Sequence, residues 1–354
     1  MTVAMRRQRR RVAVLLAFGG VLALAFLLSV GWGAVIIAPG QVLAILAEPL
    51  GLVLPWEFTG REEAVLLAIR LPRVCLGMLA GAALAVSGAA LQGLFRNPLA
   101  DPALIGVSTG AALAAVGVIV LGTGLAGVFS FIAGPFLLPI AAFAGGLLTT
   151  LLVYRIANRD GRTDVATMLL AGVAVNAIAS SGIGLLVFIS TDQQLRDLNF
   201  WLLGSLGGIT WAKMLPAAPF IASAIVVLPL LARHLNALLL GDNEALHLGF
   251  QVERTKRLIV VLVALATGAS VALTGVIGFV GLVVPHLVRL TIGPNHRILL
   301  PASFLLGASL MLIADLAART VVLPAELPIG ILTSCVGGPF FLWLLLRRHS
   351  RGDW

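Results

Sequence analysis

Long uncharged stretches separated by short charged ones set the pattern of this chain. The uncharged intervals are 12–47, 74–95, 102–154, 165–191, 214–232, 258–288, 298–314 and 327–346. A helix needs about 20 apolar residues to cross the hydrocarbon layer of a membrane. The 102–154 interval therefore has room for two crossings, broken near Gly122–Gly134. The 258–288 interval holds two short ones, broken near Thr274–Gly275. The pattern predicts ten helices over 12–37, 74–95, 103–121, 134–154, 165–190, 214–232, 258–274, 276–293, 298–317 and 327–346. The expected fold is all-α, a polytopic membrane protein with one transmembrane domain over 1–354.

Composition supports this. Of the chain, 60% is hydrophobic and 11% charged, against about 25% charged in ordinary soluble domains. So much apolar surface cannot be hidden in water, which excludes a soluble enzyme, a disordered chain and a disulfide-stapled secreted domain. Cys75 and Cys335 both lie in apolar runs and read as packing residues.

The net charge of +9 raises the possibility of nucleic acid, but binders of that kind gather their cations on one face. Here the cations punctuate the apolar runs, so no nucleic-acid partner is expected. An even number of crossings puts both termini on one side. That side then carries the cluster Arg6, Arg7, Arg9, Arg10 and Arg11, the cluster Arg347, Arg348 and Arg351, and 18 of the 24 Lys and Arg in all. The other side holds Arg61, Arg70, Arg73, Arg196, Lys213 and Arg319. Acidic residues show no such bias, so the positive-inside rule places both termini on the cytoplasmic side of the membrane. The 36 uncharged residues after Arg11 outrun a signal-peptide core and read as a retained first helix.

Sliding the chain by 187 residues pairs Arg70 with Arg257, Gly81 with Gly268, Ser87 with Thr274 and Gly88 with Gly275. The two copies would enter the membrane from opposite faces, as in an inverted repeat of two five-helix halves. Glycine pairs such as Gly77/Gly81 and Gly337/Gly338 read as close helix packing.

Chemistry is sparse. No Gly-x-x-x-x-Gly-Lys-Ser/Thr loop is present to hold ATP phosphates, and no cluster has metal-ligand spacing. No cofactor or metal is expected, and the chain itself is not an enzyme. A proton- or sodium-driven carrier keeps an ionisable relay at mid-depth; only His286 beside Pro285 stands there, and it reads as structural. The pattern suits a conduit whose energy source lies elsewhere.

Four segments are polar or turned without a membrane reason. Arg70-Leu-Pro-Arg73 stands at the outer mouth of the second helix, either as helix anchor or as docking site for an acidic partner. Gln92–Pro102 carries a proline-rich turn. Leu235–Gly249 reads as two short helices around Gly241-Asp242-Asn243, too greasy for a linker. Asp315–Arg319 with Pro324–Gly330 closes the outer side.

These motifs resemble the FecCD family. The match rests on Arg70-Leu-Pro-Arg73, on Arg96-Asn-Pro-Leu-Ala-Asp-Pro102 with Gly106–Ala111, and on Leu240-Gly-Asp242 with Leu248-Gly249. Gly278–His286 with Arg289, and Ala314–Arg319 with Glu326-Leu-Pro-Ile-Gly330, complete it, over about residues 65–346. FecCD proteins are the permease subunits of type II ABC importers for iron-siderophores, haem and cobalamin. The resemblance implies a homodimer in membrane lipid, two ATP-binding cassette ATPase subunits and one periplasmic substrate-binding protein.

It also assigns roles. Arg70, Arg73 and Arg319 match arginines that meet glutamates of the binding protein. Asn236, Gly241, Asp242, Ala245, Leu246 and Gly249 fall in the coupling helices that contact the ATPase. Asn97, Pro98 and Leu99 match the cytoplasmic gate, and Asn199–Ser205 the outer-gate neighbourhood. The segment Thr191–Gly208 is most similar to haem permeases, so haem is the expected cargo, with ferric siderophore or cobalamin as alternatives. Arg196 stands at the pathway entrance, where it would steer haem propionates or pair locally with Asp192 or Asp197. The competing class is a secondary carrier without an ATPase.

Overall fold

The computed structural model describes residues 3–349; Arg351 of the C-terminal cluster lies outside them. The chain begins with α1 (Val3–Gly31) and α2 (Pro39–Ala47). Next, α3 (Gly60–Ala64) runs through a π-helical segment, Val65–Arg70, into α4 (Leu71–Leu94). There follow α5 (Val107–Ala133), α6 (Leu137–Ala157), the strands β1 (Asn158–Arg159) and β2 (Arg162–Thr163), α7 (Val165–Phe188), α8 (Asp192–Leu203) and α9 (Trp211–Leu230). The short α10 (Ala232–Leu238) and α11 (Asp242–His247) precede α12 (Val252–Thr274), α13 (Val280–Ile292), α14 (His296–Ala318) and α15 (Ile329–His349).

A helix lies over each of the ten expected ranges. By length and composition, seven described helices can cross a membrane, counting α3 to α4 as one. The apolar runs Val107–Gly122, Val280–Ile292 and Ile329–Trp343 are shorter. Besides α3, which extends the second expected helix toward its N-terminus, two helices have no counterpart in the sequence reading. One is α2, which starts on Pro39; the other is α8, whose N-terminus is capped by Thr191 and Gln194 in a reciprocal box. Among the described residues, the one departure from helix as regular structure is the β-ribbon. Asp160 and Gly161 both take positive φ there, the requirement of a tight two-residue hairpin.

The core follows from small residues. α4, α12 and α14 are the most buried of the long helices, while α1, α6, α7 and α9 turn most of their surface outward. Leu16, Leu170, Phe188 and Leu230 are among the exposed apolar side chains, a cost in water and none in lipid. α4 packs on α14 at Gly81 and Gly307, where a Cβ at either position would stand 2.4–2.5 Å from the other's carbonyl oxygen. α4 meets α13 more closely still: a Cβ on Gly88 would lie 1.8 Å from the Gly281 oxygen. Backbones approach so nearly because lipid offers no hydrophobic drive and close dispersion contact replaces it.

The positions paired by the 187-residue offset have different surroundings. Gly88 is inside α4, whereas Gly275 ends α12 with φ +69°.

Candidate functional site

Two clusters of buried charged side chains stand at opposite ends of the bundle. At one end stand Arg70, Arg73 and Arg319, and none faces solvent: they are 4, 7 and 8% exposed. Arg70 donates to the carbonyls of Val30 at 2.6 Å and Gly31 at 2.9 Å, and also bonds Val35. Arg319 donates to Ser29 O at 2.5 Å. These carbonyls belong to the last turn of α1 or lie just beyond it, where a helix leaves oxygens without partners and favours a cation. A Cβ on Gly33 would sit 2.9 Å from the Arg70 guanidinium, so glycine there gives that side chain its room.

Arg73 completes the cluster. Its Nε donates to Asp315 Oδ1 at 2.9 Å, and Nη1 donates to Glu326 Oε1 and Oε2 at 2.9 and 3.0 Å. Asp315, wholly buried, also faces Arg319 at 3.4 Å. The local chain explains the placement. Pro72 has no N–H to give the Ala68 carbonyl and its ring would crowd it; the preceding turns widen into the π-helical Val65–Arg70. Of the two readings left open for Arg70 and Arg73, helix anchor or docking site, the anchoring contacts are the ones seen within the chain. The arginines tie α1, α4, α14 and the loop before α15 together, and Glu326, with a side chain 47% exposed, is the charge that reaches outward.

The neighbouring Asn199–Ser205 segment ends α8. Ser205 N donates to Thr274 O at 2.7 Å and Ile329 N to Gly204 O at 2.9 Å, so this loop joins the ends of α8, α12 and the start of α15. Arg196 is exposed on α8 and pairs with neither Asp192 nor Asp197. It donates to Gln193 Oε1 at 2.8 Å.

The opposite end carries the paired short helices. Gly241 (φ +131°) and Gly249 (φ +85°) take backbone conformations that a side chain would strain, and they bracket α11. Leu240, Leu246 and Leu248 project outward at 65, 62 and 61% exposure. Ala245 points the other way and is fully buried; as a surface contact it is corrected. Asn236 also turns inward: its amide donates to Asn295 Oδ1 at 2.9 Å and its Oδ1 accepts from His296 N at 2.9 Å. That locks α10 to the N-terminus of α14.

Asp242 is the hub of this end. Lys256 Nζ, 2% exposed, reaches Asp242 Oδ2 at 2.5 Å, Glu253 Oε1 at 3.2 Å and Thr163 O at 2.9 Å. The start of α12 therefore grips both α11 and the β-ribbon. Arg96, with φ +51°, stands 3.8 Å from Asp242 Oδ1, and it directly precedes the expected gate. There Asn97 Oδ1 accepts from Leu99 N at 2.9 Å, an Asx turn that, with Pro98, exposes Leu99. Expected gate and expected coupling helices meet through this one carboxylate.

Sequence reasoning missed Lys256, Asp315, Glu326 and Arg96 as site residues. Arg96, Asp315 and Glu326 lie in the family motifs, and two of the four carry a signal of their own. Asp315 sits at the end of an apolar helix four residues before Arg319, and Lys256 is a lone ammonium just ahead of a long uncharged run.

Residues 21–347 match the FecCD transport family. The chain is 48% identical to the hemin transport system permease protein HmuU of Yersinia pestis over 294 residues, 80% of this chain and 84% of that protein. It is 39% identical over 352 residues to the vitamin B12 import system permease protein BtuC of Escherichia coli O9:H4, covering 99% of each. The fold is similar to an inward-facing conformation of a metal-chelate type ABC transporter, with a TM-score of 0.80 and 31% identity over 95% of this chain and 99% of that one.

Proposed function

Because this chain belongs to the FecCD transport family, we propose that it is the permease of an ATP-driven importer of haem, working as a homodimer. ATP hydrolysis belongs to separate subunits. Two of these would seat on α10–α11, and one periplasmic binding protein would seat on the opposite mouth. The cation bias along the sequence supports placing both termini and α10–α11 in the cytoplasm. Ten crossings and two inverted five-helix halves complete the reading.

The observation that carries it is the trio of exposed leucines at the α10–α11 end, Leu246 on α11 with Leu240 and Leu248 flanking it. These helices are too short to span and are braced from inside by Asn236 and Lys256. A greasy face on a rigid mount is a docking element; a secondary carrier has no use for one. At the other mouth, Arg70, Arg73 and Arg319 bond within the chain. Docking there acts through the surface they shape and not through three free cations.

Haem as cargo is supported by the 48% identity to a hemin permease and by Arg196, an exposed cation on α8 bonded to the neutral Gln193. Cobalamin is the second reading, favoured by the 39% identity that extends over the whole chain to a vitamin B12 permease. The two are separated by reconstituting the complete transporter in liposomes and measuring ATP-dependent uptake of haem and of cobalamin, each in competition with the other. Haem uptake blocked only by excess haem supports the proposal. Cobalamin uptake in its place transfers the assignment. Uptake without any ATPase subunit would remove the importer reading altogether.

A further inference from the structure

A cleft of 620 Å³ opens at the α10–α11 end of the bundle, walled by the start of α1, by α10 and by the turn from α13 into α14. We infer that this cleft binds the phosphate headgroup of an anionic phospholipid. Among the described residues, three arginines line it, Arg10, Arg11 and Arg289, and no carboxylate does. Among the described residues none of the three forms an ion pair. A cation in the last turn of α13 gains something from that helix's dipole, but Arg10 and Arg11 stand on another helix.

Arg289 is the fixed part of the site. Its Nη1 donates to Gln92 Oε1 at 2.5 Å, and Gln92 is itself held by the Gly281 and Leu282 carbonyls at 3.4 Å. A neutral amide orients the guanidinium without neutralising it. The remaining N–H groups of that planar fork suit the oxygens of a phosphate. Of the other polar walls, Asn236 donates to Asn295, and Thr291 donates to the Val288 carbonyl of its own helix.

Depth selects a lipid over a soluble anion. Arg10 and Arg11 lie where α1 enters its apolar run, at the level of headgroups. Leu239, Leu290 and Ile292 add apolar side chains to the lining. Beyond them, the Val12 and Leu16 side chains of α1 are exposed for an acyl chain to lie against. Basic pockets between membrane helices on the cation-rich side bind such headgroups.

The test uses the purified full chain in phosphatidylcholine bicelles, titrated with phosphatidylglycerol of the same acyl chains, with bound lipid read by native mass spectrometry. Wild-type chain is expected to retain phosphatidylglycerol against the phosphatidylcholine background. Each surface cation contributes about five-fold in affinity, so Arg10→Gln/Arg11→Gln should weaken binding by about 25-fold. Arg10→Lys/Arg11→Lys should keep most of it, since a point charge still attracts a phosphate. Arg289→Gln should weaken binding too; should it fail to fold, the α1 pair decides. Equal retention of both lipids, or wild-type binding by the double Gln variant, overturns the site. Displacement by inorganic phosphate at matched concentration assigns it to a free anion and not a lipid. Loss of ATPase-subunit assembly in the double Gln variant, with lipid binding unchanged, would give the cleft to an acidic protein segment.

Discussion

Asp315 shows how much rests on a single side chain. It is wholly buried between Arg73 and Arg319, and it is the carboxylate both depend on. Removing one partner of a buried charge set leaves the others uncompensated, a cost of about 3–5 kcal/mol. Asp315→Ala should therefore lower the thermal midpoint of the purified chain sharply. Glu326→Gln, at a half-exposed carboxylate, should cost no more than about 1 kcal/mol. Arg73→Glu should weaken binding-protein docking and stability together, with little dependence on salt. A docking loss confined to low ionic strength, with the midpoint unchanged, would restore the free-cation reading, because only exposed charges are screened over about 10 Å at 0.1 M. Arg196 behaves oppositely. It is exposed and bonded only to Gln193, so Arg196→Ala should leave the midpoint unchanged. If haem enters past it, uptake falls while ATPase activity holds, and Arg196→Lys recovers part. Full uptake by the Ala variant removes it from the path.

At the scale of the element, α11 separates two residues that neighbour each other in sequence. Leu246 faces out and Ala245 faces in, because adjacent helical positions are a hundred degrees apart. Leu246→Asp should uncouple ATP hydrolysis from uptake with the fold intact, as measured by transport per ATP and by the thermal midpoint. Ala245→Asp should instead lower the midpoint, since it buries a charge. Equal effects of the two would deny α11 its docking face. Lys256 anchors the same element from behind. Lys256→Met removes the bonds to Asp242, Glu253 and Thr163 O, and should free α11 and the β-ribbon. Faster amide exchange over 242–248 and 158–164, with α4 and α14 unchanged, is the expected signature.

Across the whole molecule, the close crossings decide whether a bundle forms. Gly88→Ala puts a methyl group 1.8 Å from the Gly281 oxygen, and overpacking of this kind costs about 1–3 kcal/mol or more. Loss of a monodisperse chain in detergent is expected. Gly184→Ala, which meets nothing within 4 Å, is the matched control. The same scale holds the lipid cleft, which exists only because α1 packs beside the α13–α14 turn although far from it in sequence.

What the sequence determined by itself is what depends on solvent. Uncharged runs of membrane length must be helices, because no water is present to satisfy their backbone. The ranges read from charge spacing accordingly coincide with helices along the chain. The paired short helices at 235–249 were legible for the same reason, as apolar surface too short to span. α8 escaped notice because a polar amphipathic helix at a membrane edge leaves no long uncharged run. The direction of a side chain was another matter. Arg70, Arg73 and Arg319 have the same composition whether they face a partner or the α1 carbonyls. Their burial follows from where α1 ends against α14, some 290 residues apart in the Arg319–Ser29 bond. Lys256 with Asp242, Arg96 with Asp242, and Asn236 with His296 are likewise meetings of helix ends. Such meetings are set by how the bundle packs, and packing at Gly81, Gly88 and Gly307 depends on backbone shapes that no local periodicity records.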